Sequence, residues 1–137
     1  AEKEAAFGAL WRELQQLMWD NVGVIRTAPK LGAALARLRE MQTGDHAALM
    51  PPPGDRFNTT VQDWFDLKFA LRTAESVALA ALNRRESRGA QIRDDYPRLD
   101  PAFEMNQIVS LQDGKLATAW NPVVRRGYEL ATLEAAE

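Results

Sequence analysis

The run from Val61 to Arg88 constrains the fold most, because it contains no glycine or proline and therefore predicts one long helix. At about 1.5 Å of rise per residue, such a helix would reach roughly 40 Å. A capping box beginning at Thr59 or Thr60 predicts its start, and Gly89 predicts its end. Apolar residues recur along the run at helical spacing and predict one buried face: Trp64, Leu67, Leu71, Ala74, Ala78 and Ala81 or Leu82.

Two shorter helices are predicted to pack against this one. The first covers residues 3–24, and Thr27 is placed to cap the second, with Pro29 in its first turn. The apolar stripe of the first helix comprises Leu10, Leu14, Leu17 or Met18, Val22 and Ile25. The second stripe comprises Leu31, Leu35, Leu38 and Met41. We also expect three tryptophans in the core: Trp11, Trp19 and Trp64.

Residues 43–58, TGDHAALMPPPGDRFN, predict a loop that contains His46, because three consecutive prolines and two glycines disfavour a helix. His46 is the only histidine, and no nucleophile motif accompanies it. The sequence also lacks the glycine patterns that cradle phosphates and the spacing of a calcium loop. We therefore predict no catalytic, cofactor-binding or metal-binding residue in this chain.

The segment QIVSLQDGKLATAW predicts a β-hairpin, since Asp113-Gly114 separates two alternating runs. A two-residue turn there would pair Leu111 with Leu116 and Val109 with Thr118. A lone hairpin is marginal in water, so this one should lie on the helices or on a part of a larger protein. The predicted fold is mainly α: an antiparallel, spectrin-repeat-like three-helix bundle (1–102), a β-hairpin extension (103–124) and a tail (125–137).

Composition restricts the possible functions. Seventeen basic residues are outnumbered by nineteen acidic ones, which argues against a general nucleic-acid binder. Without cysteine, the chain cannot form disulfides or thiolate metal sites. It has no apolar run long enough to span a bilayer and no signal peptide, so we expect a soluble, cytoplasmic chain without membrane insertion. Because it opens in helix-like sequence without Met, we expect a fragment of a larger protein.

Four arginines crowd into residues 84–93 of the segment LNRRESRGAQIRDDYP. In one interpretation, Arg84, Arg85 and Arg88 complement the carbonyl end of the long helix. That interpretation does not account for Arg93 or Arg98, which lie beyond the predicted helix. The alternatives are a local nucleic-acid site and a surface that docks on a larger partner.

A family is suggested by three stretches of the sequence: ELQQLMWDNVGVIRT, a later L..AL..L and A.ESVALAALNRRESRGAQIRDDYP. They resemble the C-terminal helical domain of succinate dehydrogenase and fumarate reductase flavoprotein subunits, which L-aspartate oxidase shares. The resemblance covers residues from about 10 to 120 and is sharpest at residues 86–90, with Arg93, Asp95 and Pro97. Gln91 replaces the usual His, and Met105-Asn106 stands where a Lys-His pair is common.

The resemblance implies a parent electron-transport enzyme that moves a hydride between FAD and a C4 dicarboxylate. FAD would be held by the parent and not by this chain, which we expect to be inactive alone. The implied partners are the FAD-binding and capping domains, with an iron–sulfur subunit that places the parent at the inner face of a membrane. Six residues are then predicted to dock this domain on its partner: Arg85, Glu86, Ser87, Arg88, Arg93 and Asp95. A stand-alone adaptor and an L-aspartate oxidase-type domain remain alternatives.

Overall fold

A computed structural model describes residues 2–51 and 58–124, with side chains described from residue 5 onward. The described part of the chain is mainly helical, and its last two elements form an antiparallel strand pair, as predicted. Its helices are α1 (Glu2–Val22), α2 (Ala28–Glu40), α3 (His46–Ala48) and α4 (Thr59–Asn83). A π-helical turn spans Met41–Asp45, and a 3-10 turn spans Pro101–Phe103. The strands are β1 (Ile25–Arg26), β2 (Ile92–Arg93), β3 (Met105–Gln112) and β4 (Lys115–Pro122). The predicted tail lies outside the described residues.

The three long helices α1, α2 and α4 pack around one apolar core. The predicted stripes of α2 and α4 are confirmed, because every predicted member is buried except Leu82, the alternative to Ala81. In α1 the stripe is confirmed at Leu10, Leu14 and Val22. Ile25 is wrong: it lies beyond the helix in β1, and 62% of its surface is exposed.

The prediction of a loop at residues 43–58 is wrong for its first part, up to Ala48. The helical path continues through the π-helical turn into α3, because the prolines that stop it begin only at Pro51. His46 is buried, with its Nε2 2.8 Å from the carbonyl oxygen of Trp64. Trp64 Nε1 donates to the His46 carbonyl oxygen at 3.1 Å, and the two rings stack. His46 therefore fixes α3 to the start of α4.

Only one of the three predicted core tryptophans is buried in the core. Trp64 packs in the core, and Trp11 is partly buried against it. The prediction that Trp19 lies in the core is wrong, because 81% of its surface is exposed on α1. The tryptophans of α1 therefore do not share one face.

Both predicted ends of α4 need correction. Asn58, and not Thr59 or Thr60, caps the start, because its side-chain oxygen accepts a hydrogen bond from the Thr60 N–H at 3.1 Å. The helix ends at Asn83, since Arg84 adopts an extended conformation. Gly89 has a φ of +57°, as a glycine can, but it serves a tight turn between Arg88 and Gln91 and not the helix end.

The strands form two separate pairs. β1 and β2 pair in parallel, with Ile25 opposite Ile92 and Arg26 opposite Arg93. In the β3–β4 hairpin the predicted pairs are confirmed, Leu111 with Leu116 and Val109 with Thr118. Asp113 and Gly114 have φ values of 49° and 76°, as a type I′ turn requires.

The chain divides into a helical unit that ends at Phe103 and a hairpin unit that starts at Glu104. In the described part of the chain, no helix combines the length and apolar character needed to cross a membrane.

Candidate functional site

The six residues predicted to dock lie in one segment, residues 84–100, which we call the arginine loop. It follows α4 and returns past β2 to the 3-10 turn. Through side-chain hydrogen bonds the arginine loop reaches the end of α1, the start of α2 and the end of α4. Its geometry depends on two buried charged residues, Arg93 and Glu86.

Arg93 caps the end of α4. Only 1% of its surface is exposed, and its Nη1 donates to the carbonyl oxygens of Ala81 at 2.8 Å, Leu82 at 3.1 Å and Arg84 at 3.1 Å. The last carbonyls of a helix have no partner within the helix, so a guanidinium placed there satisfies several of them at once. A cation also complements the negative end of the helix dipole.

Asp95 continues this connection to α2. Its two carboxylate oxygens each accept a hydrogen bond from Arg93, from Nε and from Nη2, both at 2.8 Å. Oδ2 also accepts from the backbone N–H of Ala28, the first residue of α2, at 2.9 Å. These donors, above all Arg93, lower the pKa of Asp95 to about 2. Thr27 occupies the predicted cap position, but its side chain makes no capping hydrogen bond. The prediction that Thr27 caps α2 is therefore wrong, and Asp95 supplies the cap.

Glu86 is the second buried centre, and its side chain is fully buried. Oε1 accepts from Arg84 Nη1 at 2.6 Å and from Arg88 Nε at 2.7 Å, while Oε2 accepts from Arg88 Nη2 and from the Asp100 N–H. The hydrogen bond from Arg88 is the main cause that lowers the pKa of Glu86 to about 2. Arg84 and Arg88 therefore bind Glu86. The interpretation that Arg84, Arg85 and Arg88 lie at the carbonyl end within the long helix is wrong, because α4 ends at Asn83.

Arg26 and Gln91 connect α1 to the arginine loop. Arg26 Nε donates to the Gly23 carbonyl oxygen at 2.8 Å at the end of α1, and its Nη1 donates to Gln91 Oε1 at 3.1 Å. Gln91 Nε2 in turn donates to the Arg84 carbonyl oxygen at 3.1 Å. Gln91, which stands where the resembled family usually has His, thus joins the ends of α1 and α4.

Ser87 holds the loop closed on itself. Its hydroxyl accepts from the Arg93 N–H at 2.9 Å and lies 2.9 Å from the Tyr96 carbonyl oxygen, to which it can donate. The backbone N–H of Ser87 donates to the Arg98 carbonyl oxygen at 3.1 Å. Ser87 therefore links the start of the arginine loop to its later residues Arg93, Tyr96 and Arg98.

The predicted docking residues face different ways. Glu86 and Arg93 are buried, whereas Ser87 and Arg88 are partly exposed. Arg85, Asp94 and Arg98 are exposed, and within residues 2–51 and 58–124 their side chains make no hydrogen bond or ion pair. The loop therefore exposes Arg85 and Arg98, while its two buried charges have separate partners: Glu86 binds Arg84 and Arg88, and Arg93 binds Asp95.

The roles of Arg26 and Gln91 were missed from the sequence. Their contacts join segments that are 65 residues apart, and no periodicity predicts such a pair. The one available signal is the dipeptide Ile-Arg, which occurs at residues 25–26 and again at 92–93. These two dipeptides pair as β1 and β2, but a two-residue repeat is too short to predict pairing.

Three arginines of the loop are not available to bind the diphosphate of a flavin dinucleotide. A diphosphate is bound by unmatched cations or free backbone N–H groups, and Arg84, Arg88 and Arg93 already bind carboxylates. In the described part of the chain, no group of histidines and carboxylates is arranged to hold a metal ion. We assign no catalytic step to these residues.

Comparison with known proteins gives consistent matches. A family model described as fumarate reductase flavoprotein C-term matches residues 11–133. The flavoprotein subunit of 8-methylmenaquinol:fumarate reductase from Wolinella succinogenes is 34% identical over 124 residues, which are 89% of this chain and 20% of that protein. L-aspartate oxidase from Pseudomonas aeruginosa is 35% identical over 94 residues, which are 66% of this chain and 16% of that protein.

A solved structure, Mycobacterium smegmatis Sdh1 in complex with UQ1, is also similar. The TM-score is 0.75 at 34% sequence identity, and the match covers 85% of this chain and 20% of that one. The chain thus spans about a fifth of the length of the relatives it matches.

Proposed function

Because the chain belongs to the family of fumarate reductase flavoprotein C-terminal domains, we propose that it is the C-terminal domain of a larger FAD-dependent enzyme that interconverts succinate and fumarate. The relatives that support this proposal include a fumarate reductase flavoprotein subunit and a succinate dehydrogenase flavoprotein subunit. In this proposal the rest of the parent chain holds FAD and performs the chemistry. The isolated domain neither retains FAD nor oxidises succinate.

The domain's role in this proposal is to dock on the FAD-binding domain and stabilise it. The observation that carries the proposal is the arginine loop, whose buried charges are hydrogen-bonded within the domain and whose Arg85 and Arg98 are exposed. A loop that is already ordered loses less conformational entropy when it binds. Arg85 contacts the partner directly, whereas Glu86, Ser87, Arg93 and Asp95 hold the loop in shape. Arg88 does both, because 38% of its side chain is exposed while it binds Glu86.

The remaining parts of the proposal follow from the family. The partners are the FAD-binding and capping domains of the parent and an iron–sulfur subunit, which places the parent peripherally at the inner face of a membrane. In this proposal the three long helices form an antiparallel, spectrin-repeat-like bundle. The bundle covers residues 1–102, and the hairpin extension covers residues 103–124.

An L-aspartate oxidase-type parent is the second candidate function, because such enzymes are also among the relatives. The fumarate reductase subunit matches 89% of this chain, against 66% for the aspartate oxidase of similar identity. The broader match favours the succinate–fumarate parent. Family membership likewise favours a domain of an enzyme over a stand-alone adaptor.

A charge reversal at Arg85 in the full-length parent tests docking. Arg85→Glu should lower flavin absorbance per chain, because a repelled domain no longer stabilises the flavin site. The matched control is Arg12→Glu, an exposed cation on α1 whose Nε donates to the Gly8 carbonyl oxygen. An Arg85→Glu parent that keeps its full flavin content would overturn the docking role.

A further inference from the structure

The β1–β2 pair reverses the usual distribution of polar and apolar side chains. Side chains alternate between the two faces of a strand, and residues opposite one another share a face. On one face Arg93 is buried and Arg26 is partly buried, capping α4 and α1 respectively. On the other face Ile25 and Ile92 are 62% and 42% exposed. The pair therefore turns its arginines inward and its isoleucines outward.

The inward direction of the arginines is explained by their hydrogen bonds to carbonyl oxygens at the ends of α1 and α4. The outward direction of the isoleucines is not explained by contacts of this kind. The described part of the chain leaves 62% of Ile25 and 42% of Ile92 uncovered. A single exposed apolar side chain is ordinary, but two that are paired across strands form a patch. Further large apolar residues at this end of the helical unit are exposed as well: Trp19, Val24, Tyr96 and Leu99.

We propose that the Ile25–Ile92 face is the apolar centre of the contact between this domain and the flavoprotein body of the parent chain. This inference rests on the proposed function and names the surface that performs it. Specific interfaces have an apolar centre surrounded by a polar rim. The exposed charges of the arginine loop, Arg85, Asp94 and Arg98, supply that rim.

Two observations identify the flavoprotein body as the occupant. The chain spans only a fifth of its relatives' length, so most of a protein of that length is available to cover the face. The face is also continuous with the arginine loop, because Ile92 lies within that loop and next to Arg93. The same internal hydrogen bonds that hold Arg93 therefore also fix the position of Ile92.

The test places one carboxylate at either of two equally exposed positions in the full-length parent. Ile92→Asp puts the charge at the proposed centre, and Val77→Asp puts it on α4, where Val77 is also 42% exposed. Flavin absorbance per chain and the midpoint of thermal flavin release are measured. A charge buried at an interface centre should weaken the contact about tenfold or more, so Ile92→Asp should lose flavin and Val77→Asp should not.

A second variant guards against misfolding of the first. Ile92→Thr keeps the β-branched shape that suits a strand while removing apolar surface, and we expect a smaller loss of flavin in the same direction. If neither Ile92 variant loses flavin while Arg85→Glu does, the Ile25–Ile92 face is not the centre and docking itself survives. If none of the three variants loses flavin, docking and this inference both fail. A change in oligomeric state with full flavin content would assign the face to a second copy and overturn the inference.

Discussion

Arg93 joins the ends of two helices that are far apart in the chain. Its guanidinium binds three carbonyl oxygens at the end of α4, and through Asp95 it reaches the first N–H of α2. The sequence predicted that Arg93 and Asp95 act together, on the strength of the family motif. It did not predict what they bind, because the partners are backbone atoms of other elements and backbone atoms carry no sequence signal.

Replacing Arg93 should therefore destabilise the domain itself. Arg93→Ala removes a buried guanidinium that binds three carbonyl oxygens, and leaving buried acceptors unpaired should cost about 1–3 kcal/mol in the free energy of unfolding. Denaturant melts of the purified domain measure this loss. Arg85→Ala, which removes an exposed arginine of the same loop, should stay within about 0.5 kcal/mol. Equal losses from both substitutions would contradict the bracing role of Arg93.

Glu86 and Asp95 make stability depend on pH. Free carboxyls of these types titrate near pH 4, whereas both groups have a pKa of about 2 in the folded protein. A pKa that folding lowers contributes stability in full above about pH 5, and that stability is lost as the pH falls toward 2.

A pH series of urea melts tests this dependence. Between pH 5 and pH 2 the free energy of unfolding should fall, and it should fall less steeply in Glu86→Gln, which has one such carboxylate fewer. At pH 7 the variant should already be less stable, because it loses the ion pairs with Arg84 and Arg88. Parallel pH curves for the two proteins would show that Glu86 does not contribute in this way.

The helix α4 illustrates what periodicity can and cannot predict. Its buried face was predicted residue by residue, because a spacing of three and four follows from helix geometry alone. Its ends were not. Asn58 precedes two threonines that are equally good caps by type, and the carbonyls at the far end are bound by Arg93 and Gln91 from outside the helix.

The cap at the start of α4 can be tested by substitution at Asn58. Asn58→Ala should cost about 1 kcal/mol in the free energy of unfolding, and Asn58→Gly only a few tenths. Thr59→Ala should not destabilise, since alanine favours a helix and the Thr59 side chain is not the cap. If Thr59→Ala proves the costlier change, the original capping-box prediction would be restored.

The core face of α4 is tested at Leu71, which is fully buried. Leu71→Ala leaves a cavity and should cost about 2–5 kcal/mol, measured by denaturant melts. Thr73→Ala, two residues along on the exposed side, should change the free energy by less than about 0.5 kcal/mol. A loss below about 1 kcal/mol at Leu71 would be incompatible with its buried position.

At the scale of the whole molecule, the sequence predicted three helices and a hairpin with its register. The hairpin was predictable because Asp113-Gly114 is a local signal that fixes the pairing. The parallel β1–β2 pair was not, since its two residues per strand acquire meaning only when α1 and α4 bring them together. The sequence motif located the arginine loop. It did not predict which residues of the loop are buried and which are exposed, because that depends on the packing of the helices.

The central claim is that this chain is one domain of a larger flavoprotein. The mass of the native gene product, detected with an antibody raised against this chain, tests that claim most directly. The account predicts a polypeptide about five times longer than these 137 residues, because the chain covers 20% of its fumarate reductase relative. A native product of 15.3 kDa, the mass of this chain alone, would contradict it.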